Sequence, residues 1–247
     1  MNRDGMRDLL RYAGWCINHL LWPARCMVCD KYISEDDGGL CLSCWQSLAS
    51  VTGGDYCGRC GVSTSRYSVV DGRCTRCRDR ELQYDGIVRA GIYSEALRSM
   101  ILRFKLYDRT ELDSKLCGML NAAFTGSDFF EDIDLIVPVP LHWSRKMKRG
   151  FNQSELLAKS LKHPDARYRK LLRRNRRTVT QTSMSSIRER KKNIRGVFSV
   201  SKPKAVKGRC ICLVDDVMTS GATLSECAAV LKQAGASGVY CAVTAVA

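Results

Sequence analysis

The chain has 247 residues, of which 45% are hydrophobic and 26% are charged, and this composition favours a packed core and excludes a disordered protein. The formal net charge is +15, and residues 142–209 alone contribute 22 Lys or Arg against 3 Asp or Glu. That segment therefore carries +19 and the remainder about −4, so we expect one surface that attracts nucleic acid, phosphates or acidic lipid. No apolar run reaches the ~20 residues of a membrane span, and no signal-peptide cleavage site is evident before Cys26.

Residues 1–22 are predicted to form an amphipathic helix. Their apolar residues recur at helical spacing: Met6, Leu9, Leu10, Ala13, Ile17, Leu20 and Leu21. The expected role is packing against the rest of this protein, and peripheral docking on a membrane face or a partner is the alternative.

Residues 23–80 are rich in cysteine and contain four CxxC pairs, separated by 11 residues within the first two and by 13 within the second two. Four thiolates with no neighbouring His leave no open position for water, so we predict structural Zn²⁺, two ions in all. Disulfide or redox chemistry is the alternative, and it is less suited to a reducing, cytoplasmic compartment. We group the ligands locally, with an interleaved pairing as the other arrangement: Cys26, Cys29, Cys41 and Cys44, then Cys57, Cys60, Cys74 and Cys77.

From residue 83 to residue 247 predicted strands and helices alternate. Such alternation indicates an α/β domain with a mainly parallel, Rossmann-like sheet. The predicted strands cover 86–93, 134–140, 170–173, 197–200, 209–214 and 239–246, and the predicted helices cover 95–106, 153–161, 185–193 and 222–234. We therefore expect three parts, at 1–22, 23–80 and 83–247.

Residues 211–224 combine a buried strand, two acids and a small hydroxyl-rich loop that opens a helix. Ligands of open α/β sheets bind beyond the carboxyl ends of strands, and a helix N-terminus offers free N–H groups to a phosphate. The acids Asp215 and Asp216 can accept hydrogen bonds from sugar hydroxyls. The predicted phosphate contacts are Thr219, Ser220, Gly221, Ala222 and Thr223.

This segment resembles the phosphoribosyl-diphosphate (PRPP) signature of type I phosphoribosyltransferases. The resemblance implies that Asp215 and Asp216 are the catalytic acids that bind the ribose hydroxyls, and that PRPP binds together with Mg²⁺. Purine-salvage members have an acidic residue where Thr219 stands, so this chain is not expected to salvage 6-oxopurines.

A second loop follows the predicted strand 134–140 and precedes a group of cations. A strand-end loop beside such charges is suited to diphosphate. The candidate residues are Pro140, Leu141, His142 and Arg145.

The basic segment is densest in residues 167–177, which hold seven Arg or Lys in eleven positions. Cations that follow phosphates and rings that stack on bases are typical of single-strand binding. Trp143, Phe151 and Tyr168 are candidate rings, and each is alternatively a core or rim aromatic. The candidate DNA-binding cations are Lys146, Lys148, Arg149, Arg169, Arg173, Arg174, Arg176, Arg177, Arg188, Lys191 and Lys192.

Five motifs follow the cysteines in order: Pro-Val-Pro-Leu-His, Arg-Gly-Phe-Asn-Gln, Thr-x-x-Gln-Thr, Arg-x-x-Asn and the acid-pair loop. Together they resemble the ComF family of competence proteins over about residues 24–246. The resemblance implies a role in natural transformation, namely handling single-stranded DNA in the cytoplasm beside a helicase-type import motor. Two other functions stay open: transfer to an unknown acceptor, and a PRPP-sensing regulatory module.

Overall fold

The computed structural model describes residues 23–34, 38–106, 111–143, 147, 150–176 and 192–247. The predicted helices over 1–22 and most of 185–193 lie outside these residues. The chain divides into two compact units, Met1–Ser50 and Val51–Ala247. Among the described residues, no helix combines the length and the apolar composition that crossing a bilayer requires. The domain boundaries given above stay a prediction.

The first unit is built around one group of cysteines and helix α1 (Leu42–Val51). The backbone turns tightly at the first pair, where Cys26 N–H donates to the carbonyl oxygen of Lys31 at 2.8 Å and Met27 N–H to that of Gly39 at 2.9 Å. Leu40, Leu48, Cys26 and Cys44 are all buried.

The second unit begins with the other cysteine group, which carries the short antiparallel strands β1 (Val69–Val70) and β2 (Arg73–Cys74). The four cysteines of this group are buried and belong to the same hydrophobic core as Ile87 and Val246 of the sheet. This cysteine group is therefore part of the folded body that contains the sheet.

Within the described residues, five parallel strands form the main sheet in the order β3-β9-β8-β4-β5, and β6 and β7 form a separate antiparallel pair. Strands covered on both faces consist of nearly continuous apolar residues, and Ile211 to Val214 are all buried. The strands are β3 (Gly86–Ile92), β4 (Leu135–Pro138), β5 (Arg167–Tyr168), β6 (Leu172–Arg174), β7 (Phe198–Val200), β8 (Cys210–Met218) and β9 (Gly238–Val246).

The helices of the described residues that accompany the sheet are α2 (Glu95–Leu106), α3 (Glu111–Thr125), α4 (Gln153–Ser160) and α5 (Ala222–Gln233). Short 3-10 turns lie at Arg66–Ser68, Phe130–Asp132 and Pro203–Ala205. The predicted α/β class with a mainly parallel sheet is confirmed. The largest difference from the predicted boundaries is in β8, which continues to Met218 and so includes both acids instead of ending before them. Helix α3 and strand β5 were not predicted.

Candidate functional site

Two loops lie at the carboxyl ends of the neighbouring strands β4 and β8. Pro138 is opposite Val214 in the parallel register, and Val139 N–H donates to the carbonyl oxygen of Val214 at 2.9 Å. The amide of Asn152, just before α4, donates to the carbonyl oxygen of Val139 at 3.1 Å. The fold therefore brings the loop after β4, the start of α4 and the acids of β8 to one edge of the sheet, where ligands of such sheets bind.

The acid pair is held by side chains from two helices. Ser154, at the start of α4, donates its hydroxyl to Oδ1 of Asp215 at 2.8 Å. Lys105, near the end of α2, places Nζ 2.7 Å from Oδ2 of Asp216. The backbone adds two bonds, from Asp216 N–H to Oδ1 of Asp215 at 3.0 Å and from Val217 N–H to Oδ1 of Asp216 at 2.7 Å. Both carboxyl groups are thus fixed in orientation.

The two acids differ in their surroundings. Burial of its carboxyl group, and then the negative charge of Asp216, raise the pKa of Asp215 to about 7, although the residue as a whole keeps some exposed surface. Ser154 and the cation of Lys105 oppose that rise in pKa but do not cancel it. Asp215 therefore exchanges a proton near neutral pH, as groups in ligand and active sites commonly do.

The predicted phosphate loop joins β8 to α5. Gly221 caps the helix in the left-handed region, with φ of 73°, a conformation that favours glycine. Ser220 is buried, and its carbonyl oxygen accepts a hydrogen bond from Nη2 of Arg80 at 2.5 Å. Thr219 and Thr223 are half-buried at either end of the loop, and Ala222 is buried as the first helical residue. The loop is therefore a compact helix N-terminus beside the acid pair, which is the arrangement that phosphate binding requires.

The predicted diphosphate loop is only partly described. Pro140 and Leu141 are half-buried, whereas His142 is buried with its ring 5.6 Å from that of Trp143. Trp143 itself is 71% exposed. Arg145 lies outside the described residues, as do Lys146, Lys148 and Arg149.

The predicted DNA-binding cations that the structure describes fall into two groups. Arg169, Arg173 and Lys192 are exposed, and so is Arg176, whose Nη2 also donates to the carbonyl oxygens of Asn193 and Arg195 at 3.1 and 3.0 Å. Arg174 instead is half-buried, with its guanidinium 5.5 Å from the ring centre of Phe198. Arg177, Arg188 and Lys191 lie outside the described residues.

The three candidate rings also differ. Phe151 is packed edge-on against Phe104 at 6.1 Å, and Tyr168 is half-buried under Nζ of Lys159 at 5.7 Å. Trp143, by contrast, is widely exposed beside the diphosphate loop. Of the three, Trp143 is therefore the ring that can stack on a base.

The eight cysteines come together in two groups of four, and within each group all Sγ atoms lie within 4.8 Å of one another. The individual Sγ–Sγ distances are 3.6 Å for Cys29–Cys41 and for Cys60–Cys74, and 3.7 Å for Cys57–Cys77. Four sulfurs bound to one Zn²⁺ at about 2.3 Å in a tetrahedron lie about 3.8 Å apart, whereas a disulfide needs about 2.05 Å. The geometry fits two tetrahedral thiolate sites in the local grouping, which we name cluster I (Cys26, Cys29, Cys41 and Cys44) and cluster II (Cys57, Cys60, Cys74 and Cys77).

Comparison with protein families matches both halves of this arrangement. Residues 17–79 match the double zinc ribbon domain, and residues 134–246 match the phosphoribosyl transferase domain. The cysteine clusters lie in the first match, and the acid pair with its loop lies in the second.

Among curated proteins, competence protein F of Haemophilus influenzae is 31% identical over 217 residues, which cover 85% of this chain and 92% of that protein. The chain belongs to the ComF family. The DNA utilization protein YhgH of Escherichia coli K12 is 31% identical, and the match covers 88% of this chain and 94% of that protein. Competence protein ComFC of Bacillus subtilis is 28% identical, and the match covers 90% of this chain and 93% of that protein.

A solved structure of the allosteric regulatory enzyme of purine biosynthesis shares 20% identity over 58% of this chain and 30% of that chain, with a TM-score of 0.36. This likeness is too low to add to the fold assignment, which rests on the parallel sheet and on the family match.

Lys105, Ser154 and Arg80 lie at the site and are missing from the sequence-based candidates. Each reaches the acids or the loop from a distant part of the chain, and the contact between Arg80 and Ser220 spans 140 residues. Ser154 had a weak signal, because it directly follows the Gly-Phe-Asn-Gln motif. Lys105 and Arg80 had none beyond their charge.

Proposed function

We propose that this protein is a competence protein that handles single-stranded DNA in the cytoplasm during natural transformation, and that it binds PRPP with Mg²⁺ at the acid pair. The names of its full-length relatives, competence protein F, competence protein ComFC and DNA utilization protein, support the biological role. The observation that carries the ligand assignment is the position of two adjacent carboxyl groups at the carboxyl end of β8, directly before a phosphate-type loop.

In this proposal each part of the site has one task. Asp215 and Asp216 accept hydrogen bonds from the ribose hydroxyls, and the backbone N–H groups of residues 219–223 bind the 5-phosphate. The loop at Pro140 and Leu141 faces the diphosphate. Carboxylate and diphosphate oxygens are the ligands that Mg²⁺ prefers, so the acid pair fits the ion as well as the sugar, and the ion would neutralise the charge of the leaving diphosphate.

Lys105 supports the same assignment. Its ammonium group pairs with Asp216, so a cation is already accommodated beside this carboxyl group. Binding of ribose hydroxyls or Mg²⁺ at Asp216 requires this ion pair to loosen. Lys105 would then be free to turn towards the diphosphate, whose charge it complements.

The DNA assignment rests on the charge of residues 142–209 and on the exposure of Trp143. Exposed cations bind phosphates without reading sequence, and a ring stacks on any base, so the combination suits a single strand of arbitrary sequence. Arg169, Arg173 and Arg176 are described and exposed, and they provide the testable part of this surface.

A second candidate function is transfer of the phosphoribosyl group to an acceptor. The raised pKa of Asp215 favours it, since a protein that only binds DNA gains nothing from a buried carboxyl next to another acid. The acceptor is not a 6-oxopurine, because Thr219 replaces the acid that such enzymes use.

The test is the double variant Asp215→Asn with Asp216→Asn, compared with Asp128→Asn plus Asp132→Asn as matched control. The control acids are exposed and precede β4, at the opposite edge of the sheet. We expect the site variant to lose PRPP binding in calorimetry and transformation in cells while it keeps its fold and its affinity for single-stranded DNA. Unchanged PRPP affinity would overturn the site assignment.

Release of diphosphate from PRPP, measured with and without candidate bases, separates the remaining functions. Turnover that disappears in the site variant supports transfer, whereas binding without turnover supports a DNA-handling protein or a PRPP sensor. If DNA affinity changes when PRPP is added, the two ligands are coupled, as sensing requires.

A further inference from the structure

The segment that leaves cluster II contacts the phosphate loop directly. Arg80 follows the last cysteine of the cluster by three residues, and its Nη2 donates to the carbonyl oxygen of Ser220 at 2.5 Å. Three residues further along, Gln83 N–H donates to the hydroxyl of Ser225 in the first turn of α5 at 2.9 Å. Residues 80–83 are therefore fastened to both the loop and the helix that it opens.

Tyr84, the next residue, also packs against the phosphate loop. Its side chain is fully buried, and its hydroxyl donates to Sδ of Met218 at 3.5 Å. The same hydroxyl lies 3.2 Å from the position that a Cβ of Gly221 would take. The left-handed turn at Gly221 therefore rests on Tyr84.

Cluster II in turn holds this segment in place. Arg59 lies between Cys57 and Cys60, and its Nη2 donates to the carbonyl oxygen of Leu82 at 2.6 Å. Its guanidinium also lies 5.6 Å from the ring centre of Tyr84. Arg80 N–H donates to the carbonyl oxygen of Cys77 at 3.1 Å. Two of the cysteine ligand turns thus fix the residues that touch the phosphate loop.

The bond to Ser220 has a consequence for phosphate binding. A peptide group is planar and trans, so its C=O and the following N–H point in opposite directions. Arg80 holds the carbonyl oxygen of Ser220 and thereby fixes the direction of Gly221 N–H. The guanidinium also brings a positive charge to a carbonyl that would otherwise present a negative end near an anion. Both effects favour a phosphate in the loop.

We propose that cluster II, when it holds its Zn²⁺, supports the phosphate loop, and that Arg80 is the positioning residue that transmits this support. The proposal rests on the PRPP assignment above and adds to it a dependence on one metal site. Loss of metal from cluster II releases the turns that carry Arg59 and Arg80, so the loop loses its shape.

The first experiment changes Arg80 and leaves all eight cysteines intact. Arg80→Ala is compared with Arg78→Ala, which removes the same charge two residues earlier from an exposed side chain. We expect PRPP affinity to fall about tenfold in Arg80→Ala, since a hydrogen bond from a charged donor is lost, and to stay at the wild-type value in Arg78→Ala. Arg80→Lys, which keeps the charge, should recover part of the loss.

Amide hydrogen exchange gives a readout that needs no PRPP. In Arg80→Ala we expect faster exchange across residues 219–225 and unchanged exchange across β4, with two zinc ions still bound per chain. Equal exchange and equal PRPP affinity in Arg80→Ala and wild type would overturn the proposal. If the wild type binds no PRPP, the proposed function fails, while the exchange comparison still decides whether Arg80 supports the loop.

The second experiment compares loss of metal ligands in cluster II with loss of metal ligands in cluster I. Cys57→Ser with Cys60→Ser removes two ligands of cluster II, and Cys26→Ser with Cys29→Ser removes the equivalent ligands of cluster I. We expect only the cluster II variant to lose PRPP binding. Binding and support are reciprocal, so PRPP should also slow zinc release from cluster II to a chelator. Equal PRPP affinity in the two cysteine variants would overturn the dependence on cluster II, and so would zinc release that PRPP does not slow. If a cysteine variant does not fold, the comparison of Arg80→Ala with Arg78→Ala decides.

Discussion

Cluster II and the acid pair lie in the same compact unit, and they treat buried polar groups in opposite ways. The four thiols of cluster II are all buried and close enough to share one ion, so each has a partner of opposite charge when metal is bound. The carboxyl group of Asp215 is buried beside Asp216, and burial first and the like charge of Asp216 second raise the pKa of Asp215. Cluster II is a closed site that stabilises the fold. The acid pair is an open site that lowers stability and can bind a ligand.

The largest expected effect comes from zinc removal, which tests the closed site. Structural zinc contributes on the order of 10 kcal/mol to small metal domains, and cluster II shares its hydrophobic core with the sheet. Chelation should therefore lower the melting temperature of the whole second unit. The check is calorimetry with zinc released and then added back. A melting transition of the sheet that does not move on chelation would contradict the closed-site interpretation.

The substitution Asp215→Asn tests the open site and should have the opposite sign. The pKa of Asp215 in the fold is about 7 against an ordinary 3.8, so the folded state binds the proton more tightly than the unfolded state does. Wild-type stability should therefore fall as pH rises from about 4 to about 7, and Asn should remove this slope. We expect Asp215→Asn to be more stable than wild type by about 1–2 kcal/mol at pH 8 and no more stable at pH 4.

Urea unfolding at a series of pH values measures this difference, with Asp132→Asn, an exposed acid outside the site, as control. Parallel pH profiles for wild type and Asp215→Asn would contradict the prediction. The same variant should lose PRPP affinity, so that stability and binding change in opposite directions.

The parts of both sites that sequence predicted are those whose signal is local. CxxC spacing fixes a metal-binding turn within four residues, and an apolar run followed by two acids and a hydroxyl-rich loop fixes β8, the loop and α5. Helix α3 was not predicted, although Leu112, Leu116, Leu120 and Phe124 recur every four residues and are all buried.

The contacts that could not be predicted depend on how distant elements pack. Lys105 reaches Asp216 only because α2 ends beside the carboxyl edge of β8, and Arg80 reaches Ser220 only because cluster II packs in the core of the sheet. No local sequence pattern indicates the contact between Lys105 and Asp216 or the contact between Arg80 and Ser220. The continuation of β8 through the acids has the same origin, since its pairing with β9 extends to Met218 and Val246.

The substitution Gly221→Ala tests the boundary between the two sites, where the loop touches Tyr84. Its matched control is Gly208→Ala, since Gly208 has a similar φ of 71° but nothing within 4 Å of an added Cβ. Both changes should cost about 1 kcal/mol of stability through left-handed backbone strain. Gly221→Ala should in addition weaken PRPP binding, because its Cβ presses on Tyr84. Equal PRPP affinity in the two variants would show that the loop tolerates this contact.

The smallest expected effect comes from the exposed basic surface, which is distinct from cluster II and from the acid pair. Arg173 is exposed on β6, while the next residue, Arg174, is half-buried over Phe198. Arg173→Ala should leave stability within about 0.5 kcal/mol and lower the slope of log affinity for single-stranded DNA against log salt by about 0.7, the value for one phosphate contact. Arg174→Ala should instead lower stability by about 0.5–1 kcal/mol through the lost contact with the ring. DNA titrations at several salt concentrations, alongside urea unfolding, measure both quantities. An unchanged salt slope in Arg173→Ala would remove Arg173 from the DNA surface and leave Trp143, Arg169, Arg176 and Lys192 as the remaining described candidates.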